Sequence, residues 1–302
     1  MTAAHVPVLL HEVIGGLSLV PGAVVVDATL GAGGYARAMC DVIGENGTLV
    51  GLDQDAGAVL RAKRELSGAL CTTRLFESNF REIDTALMQL GVREADAIVF
   101  DLGLSSIQIV ESGRGFSFQQ DEPLLMTFKE HPGESDITAR QIVNDWSEEA
   151  IANVLFGYGE ERYARRIAKA ITEAREKKTI NMTGQLVEII KASVPVGYKR
   201  QKINPATRAF QALRIAVNDE VSALEEGLTK AEQCLTKGGH IAVISFHSIE
   251  DRVVKRFFAE WEKKGMGRRV TKKPVTPSEK ELAENPRSRS AKLRIFQKTA
   301  ST

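Results

Sequence analysis

Three carboxylates and a glycine-rich turn give this chain its first chemical signal. Short apolar runs at 23–26, 48–52 and 97–100 each end in an aspartate: Asp27, Asp53 and Asp101. Soon after Asp27 comes Leu30-Gly31-Ala32-Gly33-Gly34, a turn whose missing Cβ atoms let backbone come close to a ligand. Gly31-Ala32-Gly33-Gly34-Tyr35-Ala36 fits the loose pattern G-x-G-x-x-A, and Asp53 follows Gly31 by 22 residues. In a dinucleotide-binding fold such a loop holds a pyrophosphate and such an acid holds a ribose, so NAD(P) is one candidate ligand. Asp27 argues for another. A carboxylate just ahead of the loop repels a pyrophosphate and welcomes a cation. S-Adenosylmethionine carries a sulfonium, an α-ammonium, no phosphate and a ribose diol. Asp27 and the loop would take its methionyl end, Asp53 its ribose, and the strand end at Asn79-Phe80 its adenine. Aspartates that merely cap turns are the alternative.

Asp101 lies in Phe100-Asp101-Leu102-Gly103-Leu104-Ser105-Ser106. In a doubly wound sheet, ligands sit outside the carboxyl ends of the strands, so Asp101 is expected to face the loop. The exocyclic amino group of a nucleobase is a poor nucleophile because its lone pair is delocalised into the ring. A carboxylate that accepts its N–H bonds steers the nitrogen toward a methyl group, which makes Asp101 the catalytic candidate. Holding a cofactor ammonium or the loop backbone is its other reading.

The substrate side is read from charge and aromatics. Lys199, Arg200, Lys202, Arg208 and Arg214 form a run without an acid, and between Arg252 and Lys298 there are 15 Lys/Arg against 5 Asp/Glu. The remaining chain carries 25 basic and 34 acidic residues, so a net charge of +1 conceals a segregated pattern of the kind a polyanion attracts. Arg208 and Arg214 are expected on one helix, contacting RNA phosphates or pairing with Glu220 or Glu225. A flipped cytosine needs a stacking partner, for which Phe246, Phe116 and Phe118 compete with their roles as core residues. His247 is a candidate to orient the base or accept a proton, against an ordinary structural histidine. Arg287-Ser288-Arg289-Ser290 reads as a flexible phosphate-contacting segment.

The elements that must position these groups follow from periodicity. Strands are expected at 23–26, 48–52, 73–76, 97–100, 240–246, 268–272 and 292–297, with helices near 35–43, 55–66, 82–90 and 249–263. From 109 to 234 helical spacing dominates: 148–156, 160–176, 183–193 and one long run over 205–235, with Asp136 and Ser147 at N-cap positions. The economical reading is an α/β domain (1–108 and 216–302) interrupted by a helical insertion (109–215).

Length and composition fit this. The chain has 302 residues, 43% hydrophobic and 26% charged, enough for one or two packed domains. No stretch approaches the roughly 20 apolar residues of a membrane span. Three cysteines, odd in number and without metal spacing, predict neither a disulfide framework nor a zinc site and point to a reducing cytoplasm. A cysteine adduct of the kind used for C5 methylation is not expected, because none of the three ends a strand at the site.

The chain resembles the bacterial 16S rRNA (cytosine-N4)-methyltransferase family, known as RsmH or MraW. The resemblance runs from His5-Val6-Pro7-Val8-Leu9-Leu10 nearly to Lys298. It rests on Asp27-Ala28-Thr29-Leu30-Gly31-Ala32-Gly33-Gly34, the Asp101 motif, Arg114-Gly115-Phe116-Ser117-Phe118, the segment 203–214, Ser245-Phe246-His247-Ser248 and the segment 285–294. It implies a class I S-adenosylmethionine-dependent methyltransferase: a Rossmann-like, seven-stranded, mostly parallel sheet with an inserted all-helical domain. It also implies direct methyl transfer to N4 of a decoding-centre cytosine in the small ribosomal subunit, in the cytoplasm, with neither membrane nor DNA as partner. Cofactor contacts carried over by the resemblance are Gly33, Gly34, Tyr35, Asp53, Phe80, Asp101 and Gln108. Tyr35 stands where the family usually has histidine, Ile107-Gln108-Ile109 where it has Pro-Gln-Leu, and the segment 121–128 lacks a usual acid and arginine. An NAD(P)-binding oxidoreductase and a non-catalytic RNA-binding factor are the competing classes.

Overall fold

The computed structural model describes residues 7–133, 136–199 and 203–299. Arg200 and Lys202, and with them part of the basic run, lie outside those residues. The chain divides into two compact units, Met1–Gly103 with Val221–Thr302, and Leu104–Glu220.

The first unit is built on seven strands: β1 Val24–Asp27, β2 Thr48–Asp53, β3 Thr72–Glu77, β4 Ala95–Asp101, β5 Leu235–Ser245, β6 Gly267–Arg269 and β7 Lys292–Lys298. They form one sheet in the order β3-β2-β1-β4-β5-β7-β6. β1 to β5 are parallel, and β7 runs antiparallel to both β5 and β6. This is the α/β, mostly parallel, seven-stranded sheet expected. Parallel strands covered on both faces read as continuous apolar runs, and Val24-Val25-Val26 and Ala97-Ile98-Val99-Phe100 do so. Alternate residues then face opposite layers. Val25, Leu49 and Val99 join one core with Ala36 and Met39, whereas Val26, Val50 and Phe100 join the other with Leu224 and Phe258.

The helices in the first segment of this unit are α1 Leu10–Leu17, α2 Gly34–Ile43, α3 Ala56–Glu65 and α4 Ile83–Met88. The second unit contains α5 Ser106–Val110, α6 Ala139–Asp145, α7 Glu148–Gly159, α8 Ala164–Arg175, α9 Thr183–Ser193, α10 Val196–Lys199 and α11 Ala206–Val217. α12 Glu220–Gln233, α13 Ser248–Lys263 and α14 Glu279–Glu284 follow. The second unit is all-helical around its own core, which includes Ile142, Leu155, Ile167, Leu186 and Leu213. No helix among the described residues is long and apolar enough to cross a membrane.

Four expectations need correction. The helical run over 205–235 is two helices, broken at Asp219, whose φ of +46° no helix tolerates. Asn218 holds the break, accepting from the Phe128 N–H and donating to the carbonyls of Met126 and Arg214. The N-cap of α6 is Thr138, in a capping box with Gln141; Asp136 pairs with Lys129 and accepts from the Gly133 N–H. Strand β5 starts at Leu235, opposite Ala95, and its register slips before His240, where Gly238 takes a φ of +89°. Finally, Cys40 and Cys71 form a disulfide, their Cα atoms 5.5 Å apart. α2 packs over β2 and β3 is the neighbour of β2, so the fold joins two cysteines that 31 residues separate.

Candidate active site

Because β1, β2 and β4 are parallel and adjacent, their terminal aspartates arrive at one edge of the sheet. Asp27 pairs in register with Gly51 and Val99, and Asp53 and Asp101 end the neighbouring strands. The glycine turn is fastened to this edge. The Leu30 N–H donates to the Leu52 carbonyl, and the Gly31 N–H to Asp53 Oδ2 at 2.8 Å. Asp53 Oδ1 accepts from the Asp55 N–H at 2.9 Å, while Asp55 caps α3. Gly33 has a φ of +89°, which a side chain would strain, and a Cβ on Gly34 would lie 2.5 Å from the Pro7 ring.

Asp27 is fully buried. One of its oxygens accepts from the Thr29 N–H at 3.3 Å; the other, Oδ2, is buried without a hydrogen-bond partner. Asp101 presents a similar orphan, its Oδ1. Its backbone N–H donates to Thr29 Oγ1 at 2.6 Å, so Thr29 ties the two acids to one turn. Sequence reasoning passed over Thr29, although a hydroxyl two residues after a strand-end aspartate is well placed for this. Burial, with the charges of Asp53 on one acid and of Asp27 and Glu250 on the other, raises Asp27 to about 7 and Asp101 to about 8. Burial also raises Asp53 to about 6, against the N–H groups of Asp55 and Gly31, which hold it down. Buried acids with orphaned oxygens and mutually raised pKa values form a site that lacks its counter-charge. The donor set fits a cationic ligand and disfavours a pyrophosphate. It therefore fits the sulfonium and ammonium of S-adenosylmethionine.

Phe80 stands next to Asp53, since the Ser78 N–H donates to the Asp53 carbonyl at 2.8 Å and Asn79 starts the 3-10 turn Phe80–Glu82. Its half-buried ring meets Phe100 edge-on, with centroids 5.6 Å apart. Gly227 on α12 leaves the ring room, because a Cβ there would come within 2.6 Å of it. Tyr35 is different. Its ring is buried and its hydroxyl donates to the Val8 carbonyl, so it offers the loop only its backbone.

In the second unit, Gln108 closes a capping box on α5: its Oε1 accepts from the Ser105 N–H and its own N–H donates to Ser105 Oγ. Of the two arginines on α11, Arg214 is held by Glu220 through two bonds of 2.7 and 2.8 Å, the pairing that competed with RNA contact. Arg208 is exposed and donates to the Glu160 carbonyl at 3.1 Å. Phe116 is buried in the helical core and stacks against Phe128, while the partly buried Phe118 packs against that core and meets Phe210 edge-on. Phe246 is half-exposed and lies beside Gly103, two residues past Asp101.

His247 is a cap. Its Nδ1 accepts from the Glu250 N–H at 3.3 Å, its Nε2 lies 3.1 Å from Glu250 Oε1, and Glu250 Oε2 accepts from the N–H groups of Phe246 and His247. Both ring nitrogens are occupied in starting α13, so the proton-acceptor reading gives way to the structural one. His247→Ala should lower stability by about 1 kcal/mol, the usual cost of a lost cap, and His247→Asn should restore most of it. Thermal unfolding checks both; a stable Asn variant unable to transfer methyl groups would return the residue to chemistry.

The profile of the MraW methylase family matches residues 2–299 of the chain. A ribosomal RNA small subunit methyltransferase H from Paenibacillus sp. (strain JDR-2) is 42% identical over 97% of this chain and 99% of its own. One of the same name from Symbiobacterium thermophilum is 44% identical over 99% of this chain and 98% of its own. Among solved structures, an rRNA methylase from Streptococcus thermophilus aligns with 97% of this chain and 93% of its own, at 12% identity and a TM-score of 0.44.

Proposed function

The chain belongs to the MraW methylase family, and from that premise we propose that it is an S-adenosylmethionine-dependent methyltransferase acting on N4 of a decoding-centre cytosine in 16S ribosomal RNA, within the small ribosomal subunit and in the cytoplasm. The observation that carries this reading is the pair of buried, unpartnered carboxylate oxygens on Asp27 and Asp101 beside a glycine turn. Bound there, S-adenosylmethionine supplies an electrophilic methyl group on a positively charged sulfur.

The residues of the chain divide the remaining work. Asp27 meets the positive end of the cofactor, and the backbone of Gly33, Gly34 and Tyr35 lines it. Asp53 keeps a second lone pair on each oxygen for the ribose hydroxyls, after satisfying Gly31 and Asp55. Phe80 offers its free face to the adenine. Gln108 adds a cofactor contact, and the helical unit recognises RNA, with Arg208 as its phosphate contact. Asp101 accepts the N4–H bonds of the target cytosine and aligns the nitrogen lone pair with the methyl group, which counts for more than basicity when the proton leaves after transfer.

Transfer is direct. Cys40 and Cys71 are bonded to each other, and Cys71 and Cys234 precede β3 and β5 at the amino ends of their strands, opposite the aspartate edge. An NAD(P) reading would set a pyrophosphate against two buried acids. The test is radiolabelled methyl transfer from S-adenosylmethionine to small ribosomal subunits that lack the modification, followed by nucleoside analysis. Label in N4-methylcytidine is the expected result. Cofactor binding without label would favour a non-catalytic RNA-binding role, and no cofactor binding would return the loop to a dinucleotide.

A further inference from the structure

The segment 285–291 is an ordered turn. Ser288 is buried, its Oγ and N–H both donate to the Asn285 carbonyl, and the Ala291 N–H returns to the Ser288 carbonyl. This fixes the 3-10 turn Pro286–Ser290 ahead of β7 and corrects the expectation of a flexible tail. A second segment is brought alongside: Val275 and Leu293 exchange two backbone hydrogen bonds of 2.9 Å, which seats Thr276 near Lys292. A third is the end of β5, where Ser245 pairs in register with Lys292 and the chain continues into Phe246. Between the three segments lies an open cavity of about 310 Å³, lined by residues 246–248, 276 and 289–292.

The lining is one-sided. It contains Arg289 and Lys292 and no acid. Two acids border it: Glu250, bound to the N–H groups of Phe246 and His247, and Asp251, shared by Lys292 at 3.3 Å and Arg294 at 2.7 Å; against them stand Lys292, Arg294 and Arg289, so the surroundings keep one net positive charge. Arg289, Thr276 and Ser290 are exposed, and among the described residues none of their side chains makes a hydrogen bond or ion pair. A guanidinium and two hydroxyls held on rigid backbone around a basic hollow are the donors that phosphate recognition uses. Phe246 fixes where such a phosphate would sit relative to the chemistry. It lines the cavity, and its ring lies 3.7 Å from where a Cβ of Gly103 would be, just past Asp101.

We infer that this pocket holds a backbone phosphate of the RNA next to the target cytosine, with Arg289 as its principal contact and Phe246 as the wall between phosphate and base. The inference rests on the proposed RNA substrate and adds a second anchor, on the sheet side, to the site at Asp101. An anchor one nucleotide from the reacting base sets its register, because phosphate contacts position what base contacts specify.

The test is equilibrium binding of a 16S rRNA fragment to the full chain over a series of salt concentrations. Wild type is compared with Arg289→Glu and with Arg287→Glu, the same charge change two residues away and outside the pocket. Arg289→Glu is expected to weaken binding about tenfold and to reduce the salt slope by about 1, as the loss of one phosphate contact should, with Arg287→Glu changing both far less. Unchanged thermal unfolding and S-adenosylmethionine affinity show that the variants are folded. Equal losses from both variants would mean a diffuse basic surface and overturn the pocket; so would no loss from Arg289→Glu. Methyl transfer by wild type is scored separately, so RNA binding with the Arg289 signature but without N4-methylcytidine would refute the proposed reaction and leave the pocket standing.

Discussion

Asp101→Asn lowers single-turnover methyl transfer by about 10²–10³-fold at saturating cofactor and RNA, the scale on which loss of one preorganised polar contact acts. The substitution is nearly isosteric and keeps the backbone bond from the Asp101 N–H to Thr29 Oγ1. It removes an acid that burial and the charges of Asp27 and Glu250 already oppose, and whose Oδ1 has no partner. The folded protein without ligand therefore loses nothing, and a drop in rate has no explanation in unfolding. An amide oxygen can still accept from the cytosine amino group but carries no negative charge, so it no longer offsets the positive charge that builds on N4 as the methyl group arrives. If Asp101 only anchors the cofactor, the loss appears in the S-adenosylmethionine dissociation constant and vanishes at saturation. Near-normal turnover at saturation would thus remove Asp101 from the chemistry.

Much of this site is legible in the sequence because it follows from short-range rules. Apolar runs of four or five residues ending in aspartate identify strands, parallel pairing brings their ends to one edge, and a glycine turn after the first marks where a ligand enters. The parts that are not legible depend on tertiary neighbours. Arg214 admits both an RNA contact and a pairing with Glu220 or Glu225 in the sequence, and only the helix break at Asp219, which no glycine or proline announces, decides for Glu220. Phe116 and Phe118 are exposed or buried according to helices packed far along the chain: Phe116 proves to be core, and Phe118 packs against that core half-buried. His247 reads as chemical because it follows a strand at the site edge, yet the preference for Ser, Thr, Asp or Asn at caps does not anticipate an imidazole doing that work with Glu250. The cysteine pair escapes notice because a spacing of 31 residues carries no signal until β2 and β3 are neighbours.

The protein without cofactor should be less stable at about pH 8.5 than at about pH 5.5, and the cofactor should reverse much of that difference. Asp27 and Asp101 have folded-state pKa values of about 7 and about 8, against 3.8 for an exposed aspartate. A pKa raised on folding means the native state holds its proton more tightly than the unfolded chain. The associated stability is complete below the unfolded value and is lost as pH rises through the folded one, and every tenfold difference in proton affinity between the two states is equivalent to about 1.4 kcal/mol. Because the charge of Asp27 raises Asp101, the two protons leave as a coupled pair, and the decline spans both values. A cationic ligand inverts the preference: it favours the ionised pair, so affinity for S-adenosylmethionine should strengthen with pH across the same window, and binding near neutrality should release protons. Asp27→Asn separates the two effects. It removes a buried charge, so the ligand-free variant should unfold at a higher temperature than wild type at the alkaline end, yet bind cofactor more weakly there. Calorimetric unfolding at the two pH values, and titration in buffers of different ionisation enthalpy, measure both. A wild-type melting temperature no lower at alkaline pH, relative to Asp27→Asn, would show that these acids find a counter-charge within the chain, and the case for a cationic ligand would lose its physical basis.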